Sequence, residues 1–158
     1  MAILGKKNIG LFNDFFEEFK EIHDRDLHLY TKPFDGAEEV LQYLKKKKIL
    51  MNIATNKREL PTIKLIKYLK WEHFFLNIIS IDTYKEIDNK TKIVNKIIQG
   101  APKDKVYMIG DTLNDYDSAK DNDIKFIRAL WGYGSTDNWH KDSSKIKLKS
   151  ILDLKNLF

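Results

Sequence analysis

The chain has 158 residues, 42% hydrophobic, 32% charged and 12% aromatic, which suits one domain with an apolar core and excludes a disordered chain. Its net charge of +5 rests on 28 basic residues, of which only Arg25, Arg58 and Arg128 are arginine; base-edge readout and bidentate phosphate contacts lean on arginine, so no nucleic-acid partner is expected. The absence of cysteine excludes disulfides, thiolate chemistry and cysteine-ligated zinc, and with no run near the roughly 20 apolar residues of a membrane span and no signal-peptide pattern, a cytoplasmic protein is expected.

In chain order, Leu11 or Phe12, Phe15, Phe16, Phe19 and Ile22 recur at helical spacing and predict a helix ending near His23. Thr31-Lys32-Pro33-Phe34-Asp35-Gly36 is a turn. Ala37, Val40, Leu41 and Leu44 form one helical face, and the run Lys45 to Lys48 is the polar end of that helix, where cations suit the dipole. Ile49 to Ala54 reads as a buried strand. Pro61 opens the next helix, continued by Ile63, Ile66 and Leu69. Ile78 to Ile81 is a second strand, Ile93, Val94, Ile97 and Ile98 a helical face, and Val106 to Ile109 a third strand. A helix near Tyr116 to Asn122, a fourth strand from Lys125 to Leu130 and a short helix from about Ile146 to Leu154 complete the reading. Apolar strands alternating with helices predict an α/β fold, a parallel sheet covered on both faces. Chemistry in such sheets gathers at the carboxyl ends of the strands.

Three strand and helix ends carry candidate chemistry. Thr55-Asn56-Lys57 follows the first strand: a hydroxyl, an amide and a cation that can hold an anion such as phosphate, or simply cap the next helix. Gly110-Asp111-Thr112-Leu113-Asn114-Asp115 follows the third strand. Asp111 and Asp115 are four apart, so a helical turn brings both carboxylates to one face, a hard-oxygen pair suited to magnesium. The competing reading is that one of the two caps the helix and the other is merely exposed. Asp88-Asn89-Lys90-Thr91-Lys92 precedes the helix of Ile93 to Ile98. A lysine there opposes the helix dipole, which makes a functional cation worth weighing against a solvated one.

Together these segments resemble the haloacid dehalogenase superfamily, in its phosphoglycolate-phosphatase-like branch, over about residues 30 to 135. The order is a strand then Thr-Asn, a lysine at a helix start, and Gly-Asp-Thr-x-x-Asp. Lys32-Pro33-Phe34-Asp35-Gly36 and Trp131-Gly132-Tyr133-Gly134 support the match. The resemblance implies a Rossmann-like three-layer α/β/α core over residues 31–158 with a mostly parallel sheet, and residues 1–30 as the remnant of a helical cap. It implies a Mg2+-dependent phosphatase acting on a small phosphorylated metabolite. Thr55 would hydrogen-bond the phosphoryl group, assisted by the backbone of Asn56. Lys90 would steady the charge between nucleophile and phosphate, with Lys85 and Lys92 as competitors for that role. Asp111 would ligate magnesium, and Asp115 would bind it directly or through water.

One motif is missing. The family's nucleophile and its general acid-base are the two acids of Asp-x-Asp-x-Thr at the end of an apolar strand. The nearest string, Asp24-Arg25-Asp26-Leu27-His28, follows a helix and has no Thr in fifth place. The expectation is a chain truncated at its amino terminus and inactive as it stands, or a catalytically inactive binding or interaction module. In the family the absent strand is central to the sheet, so its neighbours lose ladder partners. Met1-Ala2-Ile3-Leu4-Gly5 is apolar and could supply a short substitute. Trp131, Tyr133 and Trp139 are candidate lining residues, and the four histidines form no metal-site spacing. An open sheet edge would favour self-association as a homodimer.

Overall fold

All four strands expected from the apolar runs are present, and each pairs in parallel with its neighbour. The computed structural model describes residues 9–134, 139 and 144–158, the side chains of residues 9–13, 23 and 26–28 excepted. The elements are α1 (Ile9–Tyr30), α2 (Ala37–Lys46), β1 (Met51–Thr55), α3 (Glu59–Tyr68), β2 (Phe75–Ser80), α4 (Lys90–Ile97), β3 (Tyr107–Gly110), α5 (Leu113–Asp121), β4 (Lys125–Ala129) and β5 (Ile146–Leu148). A 3-10 turn at Ile151–Asn156 follows β5. No helix among the described residues is long and apolar enough to cross a membrane.

The strands fall into two parallel sheets, β1-β2 and β3-β4-β5. Alternation along each strand sends side chains to two apolar layers. On one face Met108 and Phe126, neighbours in register, pack with Val94 of α4, with Ile98 at its C-cap, and with Tyr116 and Ala119 of α5. On the other, Ile127 packs with Val40 and Leu44 of α2 and with Leu154. The helices thus cover both faces, as parallel strands require. Ala54 of β1 joins the first layer, while Met51 of β1 and Tyr107 of β3 join the second. The two sheets therefore lie side by side between the same helices.

Two boundaries differ from the sequence reading. The segment 146–154 is not a helix. Ile146, Lys147 and Leu148 pair with Ile127, Arg128 and Ala129, because the alternation of Ile146 and Leu148 around Lys147 suits an edge strand. Ser150 then caps the 3-10 turn, accepting the Leu152 amide at 3.2 Å. The first helix also runs past His23 to Tyr30, since no Gly or Pro interrupts it before Pro33. Its second half is tied to α3: the Arg58 guanidinium meets Asp24 at 2.5 Å and Lys64 Nζ reaches the Asp24 carbonyl at 3.0 Å. Phe15, Phe16, Phe19 and Ile22 are exposed rather than packed against the core. Residues 1–5, His140 and the side chains of Leu11, Phe12, His23, Asp26 and His28 lie outside the described residues.

Candidate functional site

The chemistry-bearing residues collect at the carboxyl ends of β1 and β3 and at the start of α4. Gly110 ends β3 and has no alternative there: a Cβ would collide with the Asp115 side chain. The chain then turns into α5 through a reciprocal cap. The Thr112 hydroxyl accepts the Asp115 amide at 3.2 Å, and Asp115 Oδ2 accepts the Thr112 amide at 3.2 Å and its hydroxyl at 2.8 Å. The same oxygen also accepts the Asp111 amide at 3.2 Å. Asp111 and Asp115 therefore meet through a backbone bond across the cap, with Asp111 ahead of the helix rather than one turn below Asp115 on it.

Asp115 is buried, and its other oxygen faces Lys90. Lys90 Nζ lies 2.7 Å from Asp115 Oδ1, with the two side chains 13% and 7% exposed. This buried pair explains how a lysine survives at the first residue of α4, where the helix dipole opposes it. Asn89 caps the helix by accepting the Lys92 amide at 2.9 Å. Of the competing lysines, Lys92 turns outward to an exposed pair with Asp88, and Lys85 is exposed.

Thr55 ends β1, and its hydroxyl oxygen accepts the Lys57 amide at 3.1 Å. The Asn56 side-chain amide donates to Asn114 Oδ1 at 3.2 Å, which ties the end of β1 to the first turn of α5. Asn114 has no counterpart among the sequence candidates, because nothing local distinguishes it. Asp111 is held from the opposite side: the Gly134 amide donates to its Oδ2 at 3.0 Å. Gly132 and Gly134 approach so closely that a Cβ on either would strike Asp111. Trp139 braces this loop, its indole N–H donating to the Gly134 carbonyl at 2.8 Å. Its ring lies 3.6 Å from the Arg128 guanidinium carbon. Tyr133 is exposed and lies against Phe34, the ring centroids 5.9 Å apart and the planes tilted by 40°, and Trp131 packs on the Ile127 layer. Ser80, in register with Thr55, is fully buried, and its hydroxyl has no hydrogen-bond partner among the described residues.

As a metal site the donor set is partial. Asp111 keeps one oxygen that no described hydrogen bond uses, whereas both oxygens of Asp115 are engaged. Among the described residues no group of three His, Asp or Glu side chains comes together. Magnesium typically takes one or two carboxylates and completes its octahedron with water and phosphate, so the two acids fit the protein's share of such a site.

A family model described as haloacid dehalogenase-like hydrolase matches residues 2–129. The chain belongs to that family. Among curated relatives it is 29% identical over 122 residues to a phosphoglycolate phosphatase of Aquifex aeolicus, covering 76% of this chain and 57% of that one. It is 28% identical over 126 residues to the phosphoglycolate phosphatase of Thiobacillus denitrificans, covering 78% and 56%. The chain thus spans little more than half the length of these relatives. Among solved structures, a haloacid dehalogenase-like family hydrolase of Streptococcus pneumoniae superposes with a TM-score of 0.82 at 19% identity, covering 99% of this chain and 73% of that one. A superfamily hydrolase of Ehrlichia chaffeensis gives 0.65 at 24% identity, covering 96% and 72%. These likenesses establish the Rossmann-type fold of the family.

Proposed function

We propose that the chain supplies the phosphate-holding and metal-holding part of a magnesium-dependent hydrolase of a small phosphate monoester, and that its 158 residues alone turn over such a substrate negligibly. The single observation that most supports this reading is the Lys90–Asp115 pair, which brings a largely buried cation to the carboxylate that also accepts the Asp111 amide beyond the carboxyl end of β3. The phosphoglycolate phosphatases among its relatives favour a small phosphorylated metabolite as the substrate class. We read residues 1–30 as part of a helical cap and residues 31–158 as the core, acting in the cytoplasm.

The roles follow from the donors available. Thr55 accepts the Lys57 amide, so its own proton is left to donate to a phosphoryl oxygen. The Asn56 amide adds a second donor. Lys90 sets a positive charge between the phosphoryl group and Asp115. Asp111, with Asp115 directly or through water, would hold Mg2+, which when bound neutralises charge on the phosphoryl oxygens. The nucleophilic carboxylate that the family uses has no counterpart at a described strand end. Asp24 lies on α1 in an ion pair with Arg58. On this reading the chain positions and neutralises a phosphate, and among the described residues no carboxylate is placed to attack it. One observation favours the alternative of an inactive binding module: both oxygens of Asp115 already have partners, Oδ2 in the cap and Oδ1 at Lys90.

The test is release of phosphate from p-nitrophenyl phosphate, with Mg2+ and with chelator, beside Asp111→Asn. Release no faster than buffer is expected. Magnesium-dependent turnover that disappears in Asp111→Asn would overturn the inactivity and make Asp24 and Asp26 the next targets.

A further inference from the structure

Asp111 is gripped from the side opposite α5. The Gly134 amide donates to its Oδ2 at 3.0 Å, and Oδ1 carries no hydrogen bond among the described residues. Gly134 is buried, and both of its backbone polar groups are committed. Its N–H goes to Asp111, and its carbonyl accepts the Trp139 indole N–H at 2.8 Å. A Cβ at Gly134 would strike the Asp111 carbonyl, and one at Gly132 would strike the Asp111 side chain. The segment from Gly132 to Gly134 therefore sits on Asp111 with no room to move toward it, and the hydrogen bonds at Gly134 keep it from lifting away.

Trp139 is itself fixed on two sides. It packs on the layer of Val94, Met108 and Phe126, and its ring lies 3.6 Å from the Arg128 guanidinium carbon. Arg128 is the register partner of Gly110, so the cation against the indole belongs to the strand position beside the residue that precedes Asp111. Packing alone does not call for a tryptophan here. Phenylalanine or leucine would also fill an apolar layer, whereas the indole N–H supplies a donor to the carbonyl of a buried residue. A continuous line of contacts thus runs from β4 through Trp139 and Gly134 to Asp111.

We propose that Trp139 is a positioning residue for Asp111: through Gly134 it holds the carboxylate in one rotamer, with Oδ2 tied to the backbone and Oδ1 left for a cation. The part played by the cation rests on the reading of Asp111 as a magnesium ligand; the fixing of the rotamer does not. A ligating carboxylate binds metal more tightly when its other oxygen is already held, because less side-chain freedom is lost on binding. Trp139 stands one hydrogen bond further from the metal than the Gly134 amide, so its effect on affinity is the smaller of the two. By linkage, Mg2+ at Asp111 acts back on Trp139.

The experiment is residue-resolved NMR on the 158-residue chain, with Mg2+ alone as the probe. Trp139→Phe keeps a ring against Arg128 and loses the donor. In this variant the Gly134 amide should exchange about tenfold faster, and the Asp111 Hα–Hβ couplings should move from single-rotamer to averaged values. The Mg2+ concentration that half-shifts the Asp111 amide should rise about three- to tenfold, while the urea midpoint stays near that of the parent chain. In the parent chain, Mg2+ should shift the indole N–H signal of Trp139 and leave that of Trp71 in place, a measurement that needs no variant. Asp111 couplings that stay fixed in Trp139→Phe, or a half-shift concentration that does not move, would overturn the proposal, and Trp139 would then only brace the loop. Faster exchange throughout the chain with a lower urea midpoint would overturn it too, since that is the effect of a purely structural tryptophan. A parent chain whose Asp111 ignores Mg2+, while its couplings still average in Trp139→Phe, would defeat the metal reading alone and support the positioning.

Discussion

Removing the Asp115 carboxylate should cost far more than removing its cation. In Asp115→Ala, α5 loses the reciprocal cap at Thr112, worth about 1 kcal/mol. The Asp111 and Thr112 amides lose their acceptor, and the Lys90 ammonium, 13% exposed, is left without its partner. Stranding one member of a buried pair costs about 3–5 kcal/mol, so with the cap the whole loss is about 4–6 kcal/mol, a large share of the roughly 5–15 kcal/mol of an ordinary domain. Lys90→Met is not the mirror image. Asp115 Oδ2 keeps its three donors, and the thioether side chain fits the space of the lysine stem. The expected loss is about 1–2 kcal/mol. Urea unfolding followed by tryptophan fluorescence measures both. Equal losses, or an Asp115→Ala loss under about 1 kcal/mol, would refute the idea that Asp115 is held by cap and cation together.

Two other changes test the packing around this site. Gly36→Ala places a side chain at φ +79°, with a Cβ 2.7 Å from the Leu152 side chain. The left-handed backbone alone costs about 1–2 kcal/mol, and the turn at Ile151–Asn156 should loosen, seen as faster amide exchange there; unchanged exchange and stability would contradict this. Arg58→Ala releases Asp24 of α1 from α3. The pair is partly exposed, so the stability change is small, about 0.5–1 kcal/mol. Limited proteolysis should nonetheless cut α1 sooner, and an unchanged cleavage pattern would mean that other contacts hold the helix.

The core was legible in the sequence because its strands are short apolar runs and its helices carry 3.6-residue patterns. Ile93, Val40 and Leu44, placed on helical faces by spacing alone, are all buried. Lys90 could be singled out because a lysine at the start of a helix is locally unfavourable, and its explanation is a partner 25 residues away. The segment 146–154 misled because Ile146, Leu148, Ile151 and Leu154 are compatible with a helical face as well as with a strand followed by a turn. Pairing with β4 decides between them, and pairing is not local. The second half of α1 is hidden for the same reason: the apolar periodicity stops at Ile22, and the tie of Asp24 to Arg58 is not local. The apolar residues Phe15, Phe16 and Phe19 look like a core face by periodicity yet are exposed, since periodicity reports a face and not what covers it. Asn114 and Ser80, whose hydroxyl has no partner among the described residues, carry no local signal.

The most direct test of the account is a titration of the chain with inorganic phosphate, followed residue by residue by heteronuclear NMR, with and without Mg2+. The account predicts shifts at the amides of Thr55, Asn56, Lys90 and Asp111, at lower phosphate concentrations when Mg2+ is present, and loss of that magnesium effect in Asp111→Asn. Shifts confined to other surfaces, or a response to Mg2+ that Asp111→Asn leaves intact, would contradict it.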